Sequence, residues 1–173
     1  MTEPDASCGV AHGEVPAGGT ARAVVAVFAS PVSAELLHLA GHTGFRALLV
    51  EPDPVRRPPD AHPTVASALA AVGDDVDVVV TDHHRPELGE LLRDALAGRT
   101  RWIGLMGNPR HAGPHVAALA ELGVPPAEVA RVHRPIGLNI GSRTPGEIAV
   151  ATLAGLIADR NGRPGGFTHT PAG

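Results

Sequence analysis

Between Pro135 and Glu147 the chain reads Pro-Ile-Gly-Leu-Asn-Ile-Gly-Ser-Arg-Thr-Pro-Gly-Glu, a turn-rich glycine loop that runs straight into a helix start. Thr144 is suited to the N-cap, Pro145 to the first helical position, and Glu147 stands where it completes a capping box. The backbone N–H groups at such a helix mouth line a partly positive concavity that fits an anion or a phosphate, with Arg143 beside it. A capped loop without a ligand has the same signature, because capping is general helix chemistry. Arg143 likewise has two readings, a forked donor to phosphate or a surface cation paired with Glu147.

Other candidates for chemistry are weaker. Ten histidines invite a metal, but His83 and His84 are adjacent and point apart in an extended chain, leaving Asp82 with His84 as the pair that could chelate. His111 and His115 have helical spacing, yet Gly113 and Pro114 lie between them and interrupt a helix there. Spacing suggests no third ligand, so no metal site is expected. No serine stands in a nucleophile elbow, and the single cysteine, Cys8, lies in a segment with no ordered setting; no catalytic residue is assigned. A dinucleotide fold would run its first strand into G-x-G-x-x-G, whereas this chain has Ala29-Ser30-Pro31-Val32-Ser33-Ala34. All three glycines are missing, and Pro31 removes a donor where phosphate would be held. Glu51 and Asp53 stand where a ribose-binding acid would be, but without the cradle NAD(P) is not expected to bind.

The elements that must position these residues follow from composition and period. A chain of 173 residues with 43% hydrophobic and 18% charged side chains is the size and kind of a single globular domain. With only 2% aromatics, its core has to be built from Val, Leu, Ile and Ala, which suits a parallel sheet covered by helices. A net charge of −4 with scattered arginines, and few aromatic platforms, argues against a nucleic-acid partner. Nowhere are there ~20 consecutive apolar residues for a membrane span, and no apolar targeting segment opens the chain; a cytoplasmic location is expected.

Residues 1–20 and 164–173 read as a disordered leader and tail flanking a domain over 21–163. Within it, apolar runs Val24–Phe28, Ala47–Val50, Val76–Val80 and Trp102–Met106 read as strands, the third one central. Helical spacing joins Leu36, Leu37, Leu39 and Ala40; Val65, Leu69 and Val72; Leu88, Leu91, Leu92, Ala95 and Leu96; and Ile148, Ala149, Thr152, Leu153, Leu156 and Ile157. A further helix, N-capped by Asn108 with Pro109 next, runs to about Leu122 before the Gly123 stop. The alternation predicts an α/β fold: a single domain with a three-layer, doubly wound, mostly parallel Rossmann-like sheet. Ligands in such folds bind beyond the carboxyl ends of the strands, where the loops Ala29–Ser33, Thr81–Arg85, Gly107–His111 and Gly137–Thr144 are expected.

Four stretches together carry a family resemblance: Val78–His84, Trp102–Arg110, Leu122–Val124 and Arg131–Ala149, the last containing the Pro-Ile-Gly-Leu block. They resemble the C-terminal Rossmann domain of the XdhC/CoxI family, the xanthine dehydrogenase accessory proteins. The resemblance covers Val76 to about Gly162. It implies a cytoplasmic, non-catalytic protein that handles the molybdenum cofactor (molybdopterin) and assists its insertion into an apo molybdenum hydroxylase. Family members also carry a cysteine in a separate N-terminal domain. Ser7-Cys8-Gly9 lacks that segment's glycines, so this chain is expected to be the Rossmann half, with a separate Cys-bearing protein or a homodimer as further partners. The fourth-strand loop reads Gly107-Asn108-Pro109-Arg110 where the family has Gly-Ser-Arg-Arg, and the connection after the second strand is short, suggesting a reduced edge strand. The cofactor-binding set expected on these grounds is Thr81, Asp82, His84, Gly107, Asn108, Arg110, Gly137, Asn139, Gly141, Arg143 and Thr144. Two other readings remain: an NAD(P)-binding oxidoreductase with a degenerate glycine loop, and a non-binding scaffold.

Overall fold

Runs of valine and alanine need cover on both faces, and a five-stranded parallel sheet between two helical layers provides it. The computed structural model describes residues 22–107 and 113–165. Strands β1 (Ala23–Val27), β2 (Arg46–Val50), β3 (Val76–Val80), β4 (Trp102–Leu105) and β5 (Val132–His133) lie in the order β2-β1-β3-β4-β5. Every pairing is parallel, with Val27 beside both Val50 and Val80. Helices α1 (Pro31–His42), α2 (Val65–Val72), α3 (Leu88–Ala97), α4 (Pro114–Glu121), α5 (Pro126–Val129) and α6 (Pro145–Arg160) make the connections.

Alternate strand residues divide between two cores. Val25, Val27, Val78, Val80, Ile103 and Leu105 pack under α2, α3 and α4, with Leu88, Leu91, Leu92 and Leu119 closing that layer. Val24 and Val79 face α1 and α6, where Leu36, Ala40, Phe45, Ala149, Leu153 and Leu156 cover them. The third run is interior, as expected, because β1 and β4 flank it.

Three details depart from the sequence expectations. The first strand ends at Val27, and Phe28 turns out of it at φ +76°. The described helix after β4 starts at Pro114 with Gly113 as N-cap: a residue before proline is driven to extended backbone, and Gly113 has φ −74°, ψ 120°, so no helix runs unbroken through it. Asn108 itself lies outside the described residues, as do 1–21 and 166–173 of the expected leader and tail. The two-residue β5 and one-turn α5 are too short to produce a period. Beyond β2 a single parallel bridge, Val50 to His62, stands where a sixth strand would pair.

Asp77 sits inside the valine run, 0% exposed, and needs a partner. Arg22, 4% exposed, provides it: Nη2 donates to Oδ1 at 2.6 Å and Nε lies 2.6 Å from Oδ2. The same guanidinium reaches Asp159 near the end of α6 at 2.8 Å, and Arg160 donates to the Thr43 carbonyl at 2.9 Å while covering the Phe45 ring. These contacts latch the C-terminal end of α6 to the amino end of the sheet. Removing one partner of such a pair strands a buried charge. Asp77→Ala is therefore expected to lower unfolding free energy by about 3–5 kcal/mol, and Arg22→Met with Asp77→Leu to recover most of that loss, both read by denaturant titration. Equal losses in the single and double variants would show that the charge pairing is not what holds this end.

Candidate functional site

The loops at the carboxyl ends of β1, β2 and β3 are built around Glu51, which is 0% exposed. Its carboxylate accepts from the backbone N–H of Ala29 at 2.9 Å and of Asp53 at 3.1 Å. Arg85 donates to both of its oxygens, at 3.1 and 3.3 Å, and also binds Glu87. Those bonds, the one to Glu87 foremost, hold Arg85 charged more firmly than a free arginine, while Arg85 pulls the Glu87 carboxyl below its ordinary range. The Arg85 guanidinium also lies 4.7 Å from the centre of the Phe28 ring, the buried side chain that carries the left-handed turn. Glu51, one of the two acids expected at the ribose, is thus engaged inside the protein, while half-buried Asp53 accepts the Val55 N–H through Oδ1 at 2.9 Å.

The phosphate end of that site is closed in the same way. Ser30 and Ser33 form a capping box: Ser30 Oγ takes the Ser33 N–H, Ser33 Oγ takes the Ser30 N–H, and Pro31 has no donor. Ser30 Oγ also donates to Thr81 Oγ1 at 3.1 Å, and the Thr81 hydroxyl bonds the carbonyls of Val27 and Phe28. Thr81 accordingly sews the β1 and β3 loops together.

Next to this closed half, β3 and β4 bring Thr81, Asp82, His84 and Gly107 to one end of the sheet. Asp82 Oδ1 accepts the His84 N–H at 2.9 Å, turning the chain so that the His83 and His84 rings meet with centroids 4.0 Å apart. His83 is held below the ordinary histidine range by burial first, then by His84 and Arg134, against a backbone bond to Met106. A cation that the sequence reading did not assign stands here. The Nε and Nη2 atoms of Arg134 lie 2.6 Å from where a Cβ on Gly107 would be, so a side chain there would displace the guanidinium from this position. His115, 8% exposed, lies against Gly113, which also meets the Arg134 side chain; burial and then Arg134 lower its proton affinity, and its Nδ1 has no hydrogen-bond partner among the described residues. Asn108 and Arg110, expected in this loop, lie outside the described residues. The signal for Arg134 was its place directly after Val132-His133 and before Pro135, legible only once β5 is known to be a strand.

The glycine loop divides. Gly137, at φ +88°, rests on the middle of α6, where a Cβ would lie 3.2 Å from the Thr152 nitrogen, and Leu138 N–H bonds the Ala151 carbonyl at 3.0 Å. Pro135–Leu138 lines a cleft of about 270 Å³ with Arg22, Trp102 and Asp159, toward the amino end of the sheet. Asn139 is exposed beyond it. Gly141, at φ +71°, leads into the α6 cap, at the other end of a sixteen-residue helix. There the Glu147 carboxylate accepts the N–H groups of Arg143 at 2.6 Å and Thr144 at 3.1 Å. Arg143 thus meets Glu147 through its backbone, and no ion pair between the two side chains is formed among the described residues. Also among the described residues, no group of three side chains is placed to hold a metal ion.

Two expectations follow. With Glu51 and the Ser30 cap engaged internally, calorimetric titration with NAD(H) and NADP(H) should give no saturable binding; a submicromolar dissociation constant, about −8 kcal/mol or tighter, would mean that the Glu51 network opens. The bonds from Arg143 and Thr144 lower the Glu147 carboxyl below its ordinary value of 4.5. Its stabilisation is therefore present above 4.5 and lost as pH falls through the lower folded value. The gap in melting temperature between the protein and Glu147→Gln should accordingly narrow as pH falls, and a pH-independent gap would contradict the cap's dependence on charge.

Residues 24–156 match the family model of the XdhC Rossmann domain. A curated relative, an uncharacterized protein YqeB of Escherichia coli (strain K12), is 34% identical over 106 residues, 61% of this chain and 19% of that protein. Among solved structures, a Bacillus halodurans protein described as a xanthine dehydrogenase superposes with a TM-score of 0.63 at 23% identity, covering 82% of this chain and 45% of the other. The chain thus spans about a fifth of the curated relative and under half of the structural one. With three quarters of its length inside the matched model, the chain belongs to the XdhC Rossmann domain family.

Proposed function

We propose that this protein is a non-catalytic accessory of a molybdenum hydroxylase such as xanthine dehydrogenase, assisting the handling or insertion of the molybdenum cofactor. Membership of the XdhC Rossmann domain family over 24–156 is the observation that carries the reading. The chemistry of the carboxyl end supports it against the oxidoreductase alternative. A dinucleotide uses an acid after β2 and free donors at the first helix; here Glu51 is engaged by Arg85 and the cap donors by the serine pair, which leaves Asp53 as the acid available after β2.

The residues present fit an anionic group of a pterin cofactor. Thr81, Asp82 and His84 with Gly107 offer polar groups and close backbone approach, Arg134 lies beside Gly107, and Gly141–Thr144 lead into the α6 cap, whereas Gly137 rests on the middle of α6 and stands apart from this set. The cofactor contributes the molybdenum chemistry of the hydroxylase; this chain's part is to bind, orient and hand over. Its partner is the apo hydroxylase subunit, with a separate Cys-bearing protein or a second copy completing the assembly.

Protein purified from a molybdenum-replete host should carry pterin and molybdenum in constant ratio, and should raise the molybdenum content of apo hydroxylase on mixing. Arg143→Ala should keep its melting temperature, since the side chain is exposed, while lowering pterin retention several-fold. Protein free of pterin that leaves apo hydroxylase unchanged would sink the accessory reading.

A further inference from the structure

The helical histidine spacing that Gly113 and Pro114 interrupt between His111 and His115 is realised intact on α1. His38 and His42 stand four residues apart there, both exposed, with ring centroids 4.7 Å apart and ring planes at 68°. Residues at this separation lie one above the other on a helix, so both imidazoles project from the same face. The other face is committed to the core, where Leu36 and Ala40 pack with Val24, Val79 and Leu153.

Two imidazoles on adjacent turns of one helical face can offer nitrogens to a single ion, and imidazole suits zinc, copper and nickel ahead of the hard cations. The turn that carries this pair is held at both ends of its helix. The Ser30 and Ser33 box fixes the start of α1. At its end the Thr43 N–H and hydroxyl both return to the Leu39 and Ala40 carbonyls, while Arg160 on α6 donates to the Thr43 carbonyl at 2.9 Å. An ion arriving here therefore orders two side chains and no backbone, which keeps the entropic cost of binding low. His42 is also the last residue of α1, where the helix dipole favours a cation. Exposed Ala34 and Gly41 are small neighbours of the pair, and a Cβ on Gly41 would meet nothing within 4 Å. Exposed Glu35 does not join the pair as a third ligand, since no set of three is present among the described residues. Two nitrogens leave the coordination shell of such an ion half filled.

We propose that His38 and His42 form a two-nitrogen half-site on α1 for a borderline divalent metal ion, Zn²⁺ or Cu²⁺, whose remaining coordination positions are filled from outside the chain. The ion ties the last two turns of α1 together across their exposed face, so its binding adds to the stability of the folded state by mass action. This site goes beyond the accessory reading and does not rest on it.

Calorimetric titration of the metal-free full chain with Zn²⁺ and with Cu²⁺ provides the test, with Mg²⁺ as the hard-ion control and the histidine ring resonances followed by NMR. Zn²⁺ and Cu²⁺ should bind saturably and Mg²⁺ should not. The His38 and His42 resonances should respond first, and the melting temperature should rise with Zn²⁺ concentration. His38→Gln and His42→Gln, at exposed positions where glutamine suits a helix, should each weaken binding about 100-fold, as loss of one arm of a bivalent contact does. His84→Gln, which removes the Asp82 and His84 pair, should leave binding unchanged. Combining His42→Gln with Ala34→His puts two imidazoles four apart one turn earlier and should restore it. Sedimentation reads what completes the shell: one ion per chain at unchanged mass assigns the open positions to water, and one ion per two chains at doubled mass assigns them to the same pair on a second copy. Both results keep the half-site. Absence of saturable binding, affinity indifferent to both single variants, or a loss in His84→Gln as large as theirs would overturn it.

Discussion

A carboxylate with no solvent exposure must have every oxygen answered, and Glu51 imposes that condition on three loops at once. Its bonds to the Ala29 and Asp53 amides fix the turn out of β1 and the exit from β2, and Arg85 brings in the loop after β3. Truncating one partner of such a buried, hydrogen-bonded pair costs several kcal/mol, roughly 3–5, which is enough to hold Phe28 in a left-handed conformation that a bulky residue otherwise avoids. Arg85 over the Phe28 ring makes turn and ion pair one unit. The same geometry that stabilises these loops takes Glu51 out of the ribose-binding role and closes the turn after β1 by which an ordinary dinucleotide fold would recognise its ligand.

The amino end of the sheet is restrained by a second buried charge. Asp77 interrupts the central strand and is answered by Arg22, which extends the network to Asp159 and, through it, to Arg101. Because α6 is anchored there at its C-terminal end and capped by Glu147 at the other, its sixteen residues act as a fixed strut across one face. Gly137 rests on the middle of that strut and Gly141 leads to its tip, so one continuous sequence motif serves both ends of the molecule.

The strands and long helices were legible because their cause is local. Valine runs and the stripe through Leu88, Leu91, Leu92, Ala95 and Leu96 carry their own period, and Thr144-Pro145-Gly146-Glu147 encodes its cap within four residues. The cap at Ser30 and Ser33 uses a serine in the place where a glutamate signals the box, and so passed unnoticed beside the missing glycines. What a linear reading could not supply were partners far apart in sequence. Glu51 with Arg85 and Arg22 with Asp77 are pairings that exist only once the sheet order brings β1, β2 and β3 together. The connection after β4 carries two helix-start signals. Asn108-Pro109 is a sound start signal, but Gly113-Pro114 is a second one, and the described helix uses the latter.

The carboxyl ends of β4 and β5 are arranged differently from those of β1 and β2. Arg134 comes from β5 to lie against both Gly107 and Gly113, its guanidinium 2.6 Å from where a Cβ on Gly107 would be and its Cδ 3.3 Å from where one on Gly113 would be. The half nearest β1 and β2 is instead closed by Glu51 with Arg85 and by the Ser30 and Ser33 cap, so the turn after β1, which such a fold ordinarily opens with glycines, is bound up in contacts within the protein.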